Sequence, residues 1–214
     1  MMLREIKDRI LAIPWIYDTL RPLAAGGIDF ASLASFCAAT PEDRIFDLGC
    51  GTGQILPHLE FQAYLGVDLD ASALDRASRH AAPNIRFIEG DGWDRLYLEL
   101  NPTLVLMVGV VHHLSDDAFR AIAGRLLASD SLKRVATVDV TFFPGQRINN
   151  LLSRMDRGRF VRESQAYESL FLASGFRVAR RAILPTKLRT VRYLGYHLEP
   201  ELRPPSSAAG RQTG

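Results

Sequence analysis

The sequence predicts an α/β fold in which a mostly parallel sheet carries helices on both faces. Short apolar runs alternate with helical patterns from about residue 45 to residue 140, as in parallel strands that are joined by helices. The run Leu104–Val111 is almost wholly apolar, which indicates a strand buried on both sides. Because ligands bind beyond the carboxyl ends of such strands, the residues at the predicted ends indicate one site. These residues are Asp47, Asp68, Asp91, Gly109 and Asp139.

The loop after the first predicted strand has glycine at every second position. Gly49, Gly51 and Gly53 would let the backbone approach a ligand closely and take φ values closed to other residues. A helix predicted over 54–60 would point backbone N–H groups at an anionic part of that ligand. The alternative is a glycine-rich turn that binds nothing. Cys50 lies within this loop, where a small filler is favoured over a nucleophile.

A second acid follows the loop at a distance typical of nucleotide-binding folds. Asp68 ends the apolar run Tyr64–Val67 and lies roughly 20 residues beyond the loop, where an acid binds a ribose diol. A carboxylate suits a diol because it accepts two hydroxyl protons. Asp70 is predicted to cap the next helix, over 71–80. The alternative for Asp68 is a solvated acid at the end of a strand.

Two more predicted strands end in polar turns. The run Ile85–Ile88 leads into a turn that contains Asp91 and Gly92. The run Leu104–Val108 leads through Gly109 to a pair of histidines. The segment Ser115-Asp116-Asp117 is then predicted to cap a helix over 118–128.

These four segments occur in order over residues 45–128 and resemble the motifs of class I S-adenosylmethionine-dependent methyltransferases. The resemblance is closest to small bacterial members that act on small molecules and carry an Asp-Arg-Gly segment after the fifth strand, here Asp156-Arg157-Gly158. It implies a Rossmann-like, doubly wound, mostly parallel seven-stranded sheet with an N-terminal helical lid. It also implies S-adenosylmethionine as cofactor and S-adenosylhomocysteine as product.

The resemblance also implies roles for individual residues. Asp68 would hold the ribose, Leu69 would lie against the adenine, and Asp91 and Gly92 would meet the adenine edge. Trp93 would either cover the adenine or belong to the core. The residues expected to bind the cofactor are Asp47, Gly49, Cys50, Gly51, Gly53, Asp68, Leu69, Asp91, Gly92, Gly109 and Val110.

The remaining segments fit one domain over residues 1–200. Helices predicted over 2–13, 15–20 and 30–38 would form the lid in residues 1–40, and residues 41–200 would form the Rossmann-like core. Later strands are predicted at 134–140, 175–178 and 188–194. The Pro- and Ser-rich stretch 201–214 is predicted to be a disordered tail.

Methyl transfer from a sulfonium is an in-line displacement, in which positioning of the acceptor contributes most. A base near the methyl would help a hydroxyl or amine acceptor, and His113 is preferred over His112 for this role. Asp139 would hold the acceptor or support a histidine. The alternative is that these groups merely shape the pocket. Tyr17 and Arg157 are candidate substrate contacts, and no metal is expected because Val110 and Val111 stand where some relatives place carboxylates.

Composition narrows the class of protein. The chain has 214 residues, of which 47% are hydrophobic and 23% charged, with a formal net charge of +2. These values suit one globular domain. No apolar run has transmembrane length, and the two cysteines give no disulfide framework, so a cytoplasmic setting is expected.

Basic residues concentrate in the later part of the chain. Residues 133–203 contain 14 basic and 6 acidic residues, whereas residues 1–132 contain 11 basic and 18 acidic residues. The basic part could attract an anionic substrate, with a group at Arg154, Arg157, Arg159 and Arg162 nearest the predicted site. The alternative is an ordinary solvated surface.

Three functions stay open at this point. The favoured one is O- or N-methylation of a small molecule, by a monomer or a homodimer. Stable nucleic-acid binding is not expected, because the chain lacks an Asn-Pro-Pro-Tyr-type segment and an aromatic-basic stripe. The others are methylation of a macromolecule or cell-surface glycan lipid, and cofactor binding without transfer.

Overall fold

The computed structural model describes residues 29–155, 158–186 and 192–201. Within these residues one sheet contains eight strands, in the order β3-β2-β1-β4-β5-β8-β7, with β6 paired to β5. The strands are β1 Arg44–Leu48, β2 Ala63–Asp68, β3 Ile85–Glu89, β4 Leu104–Val108, β5 Arg134–Phe142, β6 Arg162–Glu163, β7 Phe176–Pro185 and β8 Arg192–Pro200.

The prediction of a mostly parallel, doubly wound sheet is confirmed. Strands β1 to β5 pair in parallel, and β8 is antiparallel to both β5 and β7. The two-residue strand β6 was not predicted, because it is too short to show any periodicity. The strand predicted at 188–194 instead begins at Arg192 and continues to Pro200, as one arm of a long antiparallel pair with β7.

Six α-helices are present in the described ranges: α1 Phe30–Cys37, α2 Ala71–Ala77, α3 Asp94–Leu100, α4 Asp116–Leu126, α5 Arg147–Met155 and α6 Ser164–Ala173. The helix predicted over 54–60 is wrong, since the chain forms a single 3₁₀ turn at Leu56–His58 that contains Pro57. The helix predicted to end at His80 ends at Ala77 and continues as a 3₁₀ turn.

The cap predicted at Asp70 is confirmed, and in the predicted cap Ser115-Asp116-Asp117 only Ser115 is the cap, because helix α4 already begins at Asp116. The carboxylate of Asp70 accepts hydrogen bonds from the backbone N–H groups of Ser72 and Ala73, at 2.9 and 3.3 Å. The hydroxyl of Ser115 accepts one from the N–H of Ala118 at 3.2 Å.

The apolar core lies on both faces of the sheet. Along β1, Ile45 and Phe46 are fully buried and belong to opposite clusters, because successive side chains of a strand point to opposite faces. Phe46 packs with the rings of Trp93 and Tyr97 at centroid distances of 4.9 Å. Trp93 therefore belongs to the core.

Helix α1 lies where the third lid helix was predicted, and Phe36 on this helix packs against Gly195 of β8. The other two lid helices fall outside the described residues. No helix in the described part of the chain is both long and apolar enough to cross a membrane.

We expect Gly195→Ala to destabilise the protein by about 1–3 kcal/mol, because its Cβ would lie 2.7 Å from carbon atoms of Phe36 and Leu184. The measurement is urea unfolding followed by circular dichroism. Gly124→Ala on α4 is the matched control, since nothing lies within 4 Å of a Cβ at that position. Equal unfolding midpoints for Gly195→Ala and the wild type would contradict the packing described here.

Candidate active site

The loop after β1 adopts a backbone that glycine allows. Gly49, Gly51 and Gly53 have φ of +78°, +53° and +69°, in the left-handed region that other residues rarely occupy. The N–H groups of Gly49 and Cys50 both donate to the carbonyl of Val67, at 2.7 and 3.0 Å. The end of β2 therefore fixes the start of the loop.

Asp68, at the end of β2, fixes the middle of the same loop. Its Oδ2 accepts a hydrogen bond from the N–H of Gly51 at 2.7 Å, and its Oδ1 accepts one from the N–H of Asp70 at 2.9 Å. A carboxylate offers about four acceptor positions, so Asp68 keeps capacity for an additional donor. Leu69 beside it is 77% exposed, which leaves an apolar surface next to the acid.

Asp47, at the end of β1, lies beneath the loop rather than at its surface. Its side chain is buried, and its Oδ2 accepts a 2.6 Å hydrogen bond from the hydroxyl of Tyr64 on β2. Burial raises the pKa of Asp47 to about 7, although the bond from Tyr64 acts in the opposite direction. Gly66 makes room for this pair, because a Cβ there would lie 2.9 Å from Cε1 of Tyr64.

Cys50 packs inward from the loop. A Cβ at Gly66 would lie 2.8 Å from its sulfur, so the thiol fills space against β2. Burial raises the pKa of this thiol. The position and protonation of Cys50 favour a packing role over a nucleophilic one.

The turn after β3 is held from outside by Arg125 on α4. The guanidinium donates to both carboxylate oxygens of Asp94, at 2.6 and 2.7 Å, and to the carbonyl of Asp91 at 2.6 Å. It also lies 3.7 Å from the centre of the Trp93 ring. Asp91 and Gly92 remain exposed at the sheet edge.

The turn after β4 adjoins the glycine loop. Gly109 has φ +71°, and its N–H donates to the carbonyl of Val138 at 2.7 Å. Val110 contacts Gly49 so closely that a Cβ on Gly49 would lie 2.6 Å from Cγ2 of Val110. The structure thus brings the ends of β1 and β4 together.

The two histidines occupy different environments in the 3₁₀ turn Val111–His113. His112 is fully buried, and its Nδ1 lies 2.7 Å from Oδ1 of Asp139 at β5. The same carboxylate accepts the backbone N–H of His112 at 3.1 Å and the hydroxyl of Thr137 at 2.7 Å. His113 is exposed, with its ring centre 4.1 Å from that of His112.

The segment before β6 covers the buried histidine. The N–H of Phe160 donates to the carbonyl of His112 at 3.0 Å, and a Cβ on Gly158 would lie 2.8 Å from that carbonyl and overlap the imidazole ring. The backbone of this segment thus packs directly on His112.

Arg162 fastens the histidine turn to β6. Its guanidinium donates to the carbonyls of Val111 and Leu114 at 3.2 and 2.8 Å, and pairs with Asp116 at 2.7 Å. Because these bonds occupy its guanidinium and little of the side chain is exposed, Arg162 holds the fold together instead of facing a substrate. Arg159 is exposed, whereas Arg157 and Tyr17 lie outside the described residues.

The sheet edge fits the cofactor that the sequence implies. It offers a left-handed glycine loop, an acid with spare acceptor capacity and an exposed leucine beside that acid. A Cβ at Gly51, Gly90 or Gly92 would meet nothing within 4 Å, so there is open space along this edge.

We expect the buried acid Asp47 to make folding stability depend on pH. Its pKa in the folded state is above its usual value, so between about pH 5 and pH 7 the native state holds a proton that the unfolded state has lost. Stability from this group therefore falls as pH rises towards 7 and then levels off. Asp47→Asn should remove this dependence.

The measurement is the free energy of unfolding in urea at several pH values, for the wild type and Asp47→Asn. Asp75→Asn, at an exposed position of α2, serves as control. Parallel curves for the wild type and Asp47→Asn would contradict this description of Asp47.

Comparisons with known proteins agree with this geometry. Residues 45–129 match the family model described as a methyltransferase domain. No curated protein sequence matches the chain.

Solved structures share the fold at low sequence identity. One is magnesium protoporphyrin IX methyltransferase from Synechocystis PCC 6803 with bound S-adenosylhomocysteine, at TM-score 0.59 and 15% identity, covering 80% of each chain. Another is a methyltransferase of calicheamicin biosynthesis, at TM-score 0.63 and 18% identity, covering 92% of this chain and 60% of that one. A third is a putative methyltransferase of Haloferax volcanii in complex with an activator protein, at TM-score 0.61 and 13% identity, covering 88% and 97%. Residues 45–129 thus match a methyltransferase domain, and the chain has the fold of S-adenosylmethionine-dependent methyltransferases.

Proposed function

We propose that this enzyme transfers a methyl group from S-adenosylmethionine to a hydroxyl or amine of a small molecule, in the cytoplasm. The observation that carries the proposal is the contact between Gly49 and Val110, since it puts the glycine loop beside the turn that bears His113. The magnesium protoporphyrin and calicheamicin enzymes of similar fold support a small-molecule acceptor.

Four groups at the sheet edge would hold the cofactor. Asp68 would accept the ribose hydroxyls, and Leu69 would cover the adenine. Asp91 and Gly92 would meet the adenine edge, and the loop from Gly49 to Gly53 would carry the methionine part. Asp47 is buried under this loop, so its contribution is to support the loop and to place negative charge beneath it.

The chemistry that S-adenosylmethionine supplies is a methyl group activated on a positively charged sulfur. Exposed His113 is the group placed to take the proton from an acceptor. Fully buried His112 and Asp139 are instead positioning residues, because their mutual bond fixes the turn on which His113 stands. Transfer then depends on alignment of the acceptor with the methyl.

A panel assay tests the function. Purified enzyme is incubated with S-adenosylmethionine and hydroxylated, phosphorylated or amine-bearing small molecules, and both products are followed by mass spectrometry. We expect S-adenosylhomocysteine to appear together with one methylated small molecule. Transfer to RNA, protein or glycan lipid but to no small molecule would contradict the proposed acceptor class.

We expect Asp68→Asn to weaken S-adenosylhomocysteine binding by about 10- to 100-fold, because it removes charge-assisted hydrogen bonds. Isothermal titration calorimetry measures this affinity, and Asp68→Ala should lose more because it also releases Gly51. Asp75→Asn keeps the wild-type affinity. Wild-type affinity in Asp68→Asn would rule out the assigned ribose contact.

We expect His113→Asn to lower kcat by about 100-fold or more, while S-adenosylhomocysteine affinity stays within twofold of the wild type. Steady-state kinetics with the acceptor from the panel gives kcat, and calorimetry gives the affinity. A change in kcat of less than about threefold would mean that His113 shapes the pocket without moving a proton.

A further inference from the structure

Helix α5 is inverted relative to an ordinary surface helix. Its polar residues Asn149 and Ser153 are buried, whereas Ile148 and Leu151 are 70% and 59% exposed. A surface helix normally turns its apolar stripe towards the core. Here two large aliphatic side chains are exposed to solvent on the helix that follows β5.

The inversion follows from the length of β5. This strand pairs with β4 as far as Val138 and with β8 as far as Val140, and its last two residues, up to Phe142, pair only with the two-residue strand β6. Buried backbone groups beyond these pairings need other partners. The side chains of Asn149 and Ser153 donate to the carbonyl of Thr141, at 3.1 and 3.2 Å.

Asn150 pairs with the backbone just beyond the end of β5. Its amide donates to the carbonyl of Phe143 at 2.8 Å, and its Oδ1 accepts the N–H of Phe143 at 2.8 Å. The polar side chains thus face inward beside Leu152, which packs against the core, whereas Ile148 and Leu151 remain exposed.

The outer face of α5 is also basic. Helical geometry puts Arg147 and Arg154 on the outward half of α5, next to Ile148 and Leu151, and both arginines are exposed. Residues 143–155 contain no acid. An exposed aliphatic stripe beside arginines on a short amphipathic helix is the pattern of a segment that lies in a membrane interface.

We propose that the outer face of α5, formed by Arg147, Ile148, Leu151 and Arg154, binds the surface of an anionic lipid bilayer. The aliphatic side chains would enter the headgroup region, and Arg147 would pair with an anionic headgroup. This fits a cytoplasmic enzyme, because the cytoplasmic leaflet carries the anionic lipids.

Charge argues against other occupants of this face. A second copy would bring arginine against arginine. Residues 1–28 contain four basic and three acidic residues, so they offer no anionic complement. A nucleic acid would pair with the arginines but would gain no stacking from Ile148 and Leu151.

Bilayer binding goes beyond the proposed function, since it would give the site access to an acceptor held at a membrane. Helix α5 follows directly from β5, which also carries Asp139 of the site. The inference does not depend on transfer activity, because binding to lipid can be measured without an acceptor.

Vesicle co-sedimentation of the whole protein tests this inference. The vesicles are pure phosphatidylcholine, or equimolar phosphatidylcholine and phosphatidylglycerol, each at low and high salt. The test variant is the double substitution Ile148→Ser and Leu151→Ser, and Arg147→Gln tests the charge. The matched control is Leu98→Ser with Leu172→Ser, at positions 52% and 55% exposed on α3 and α6.

We expect the wild type and the control to bind the anionic vesicles, and to release them as salt rises. The test variant should bind at least about tenfold more weakly. Arg147→Gln should weaken binding and lower its salt dependence. S-adenosylhomocysteine affinity should be unchanged in all variants, which separates a failure of lipid binding from misfolding or from failure of the cofactor site.

Three outcomes would overturn the inference. One is that the wild type does not co-sediment with anionic vesicles. Another is that the test and control variants bind these vesicles equally well. The third is that the wild type does not bind vesicles and is a dimer, whereas the test variant is a monomer. That result would make α5 a contact between two copies of the chain.

Discussion

The carboxylate of Asp139 is the constraint on which the histidine side of the site depends. It accepts the hydroxyl of Thr137 and the backbone N–H of His112, and its Oδ1 lies 2.7 Å from Nδ1 of the His112 ring. Because these donors come from β5 and from the turn after β4, one buried acid joins two neighbouring strand ends. The segment over His112 and the guanidinium of Arg162 then pack on a turn that is already fixed. Buried charge without such partners would be costly.

The two buried acids of the site differ in the hydrogen-bond donors that surround them. Asp47 has one side-chain donor, Tyr64, and burial raises its pKa to about 7. Asp139 instead accepts from a hydroxyl and a backbone N–H, and its Oδ1 lies beside an imidazole nitrogen. The protein therefore has a firmly held turn on the histidine side and a titratable acid under the glycine loop. A positively charged ligand above that loop would favour ionised Asp47 and strengthen the support beneath it.

The sequence predicted the parallel strands, both caps and the strand ends, because burial on two faces and turn chemistry are local properties. It preferred His113 as the base, but it could not predict that His112 is buried and His113 exposed, because the two residues are identical in type and adjacent. Their difference arises from Asp139, which lies 27 residues further along the chain from His112. Tyr64, Arg125 and Arg162 were missed as site supports for the same reason. Each acts through a partner that is distant in sequence, and a tyrosine or arginine on its own carries no signal of that partner.

Helix α5 shows how a backbone requirement can decide what a surface offers. Strand β5 extends beyond its pairing with β4 and β8 and then pairs only with the short strand β6. Asparagine and serine side chains of α5 donate to the carbonyls of Thr141 and Phe143. An apolar inner face would bury Ile148 and Leu151 but would leave these carbonyls unpaired, which is the larger penalty. Ile148 and Leu151 are thus exposed because the inner face of α5 carries the polar side chains that pair with the backbone at the end of β5. This exposed aliphatic stripe lies on the helix that follows β5, and β5 also carries Asp139.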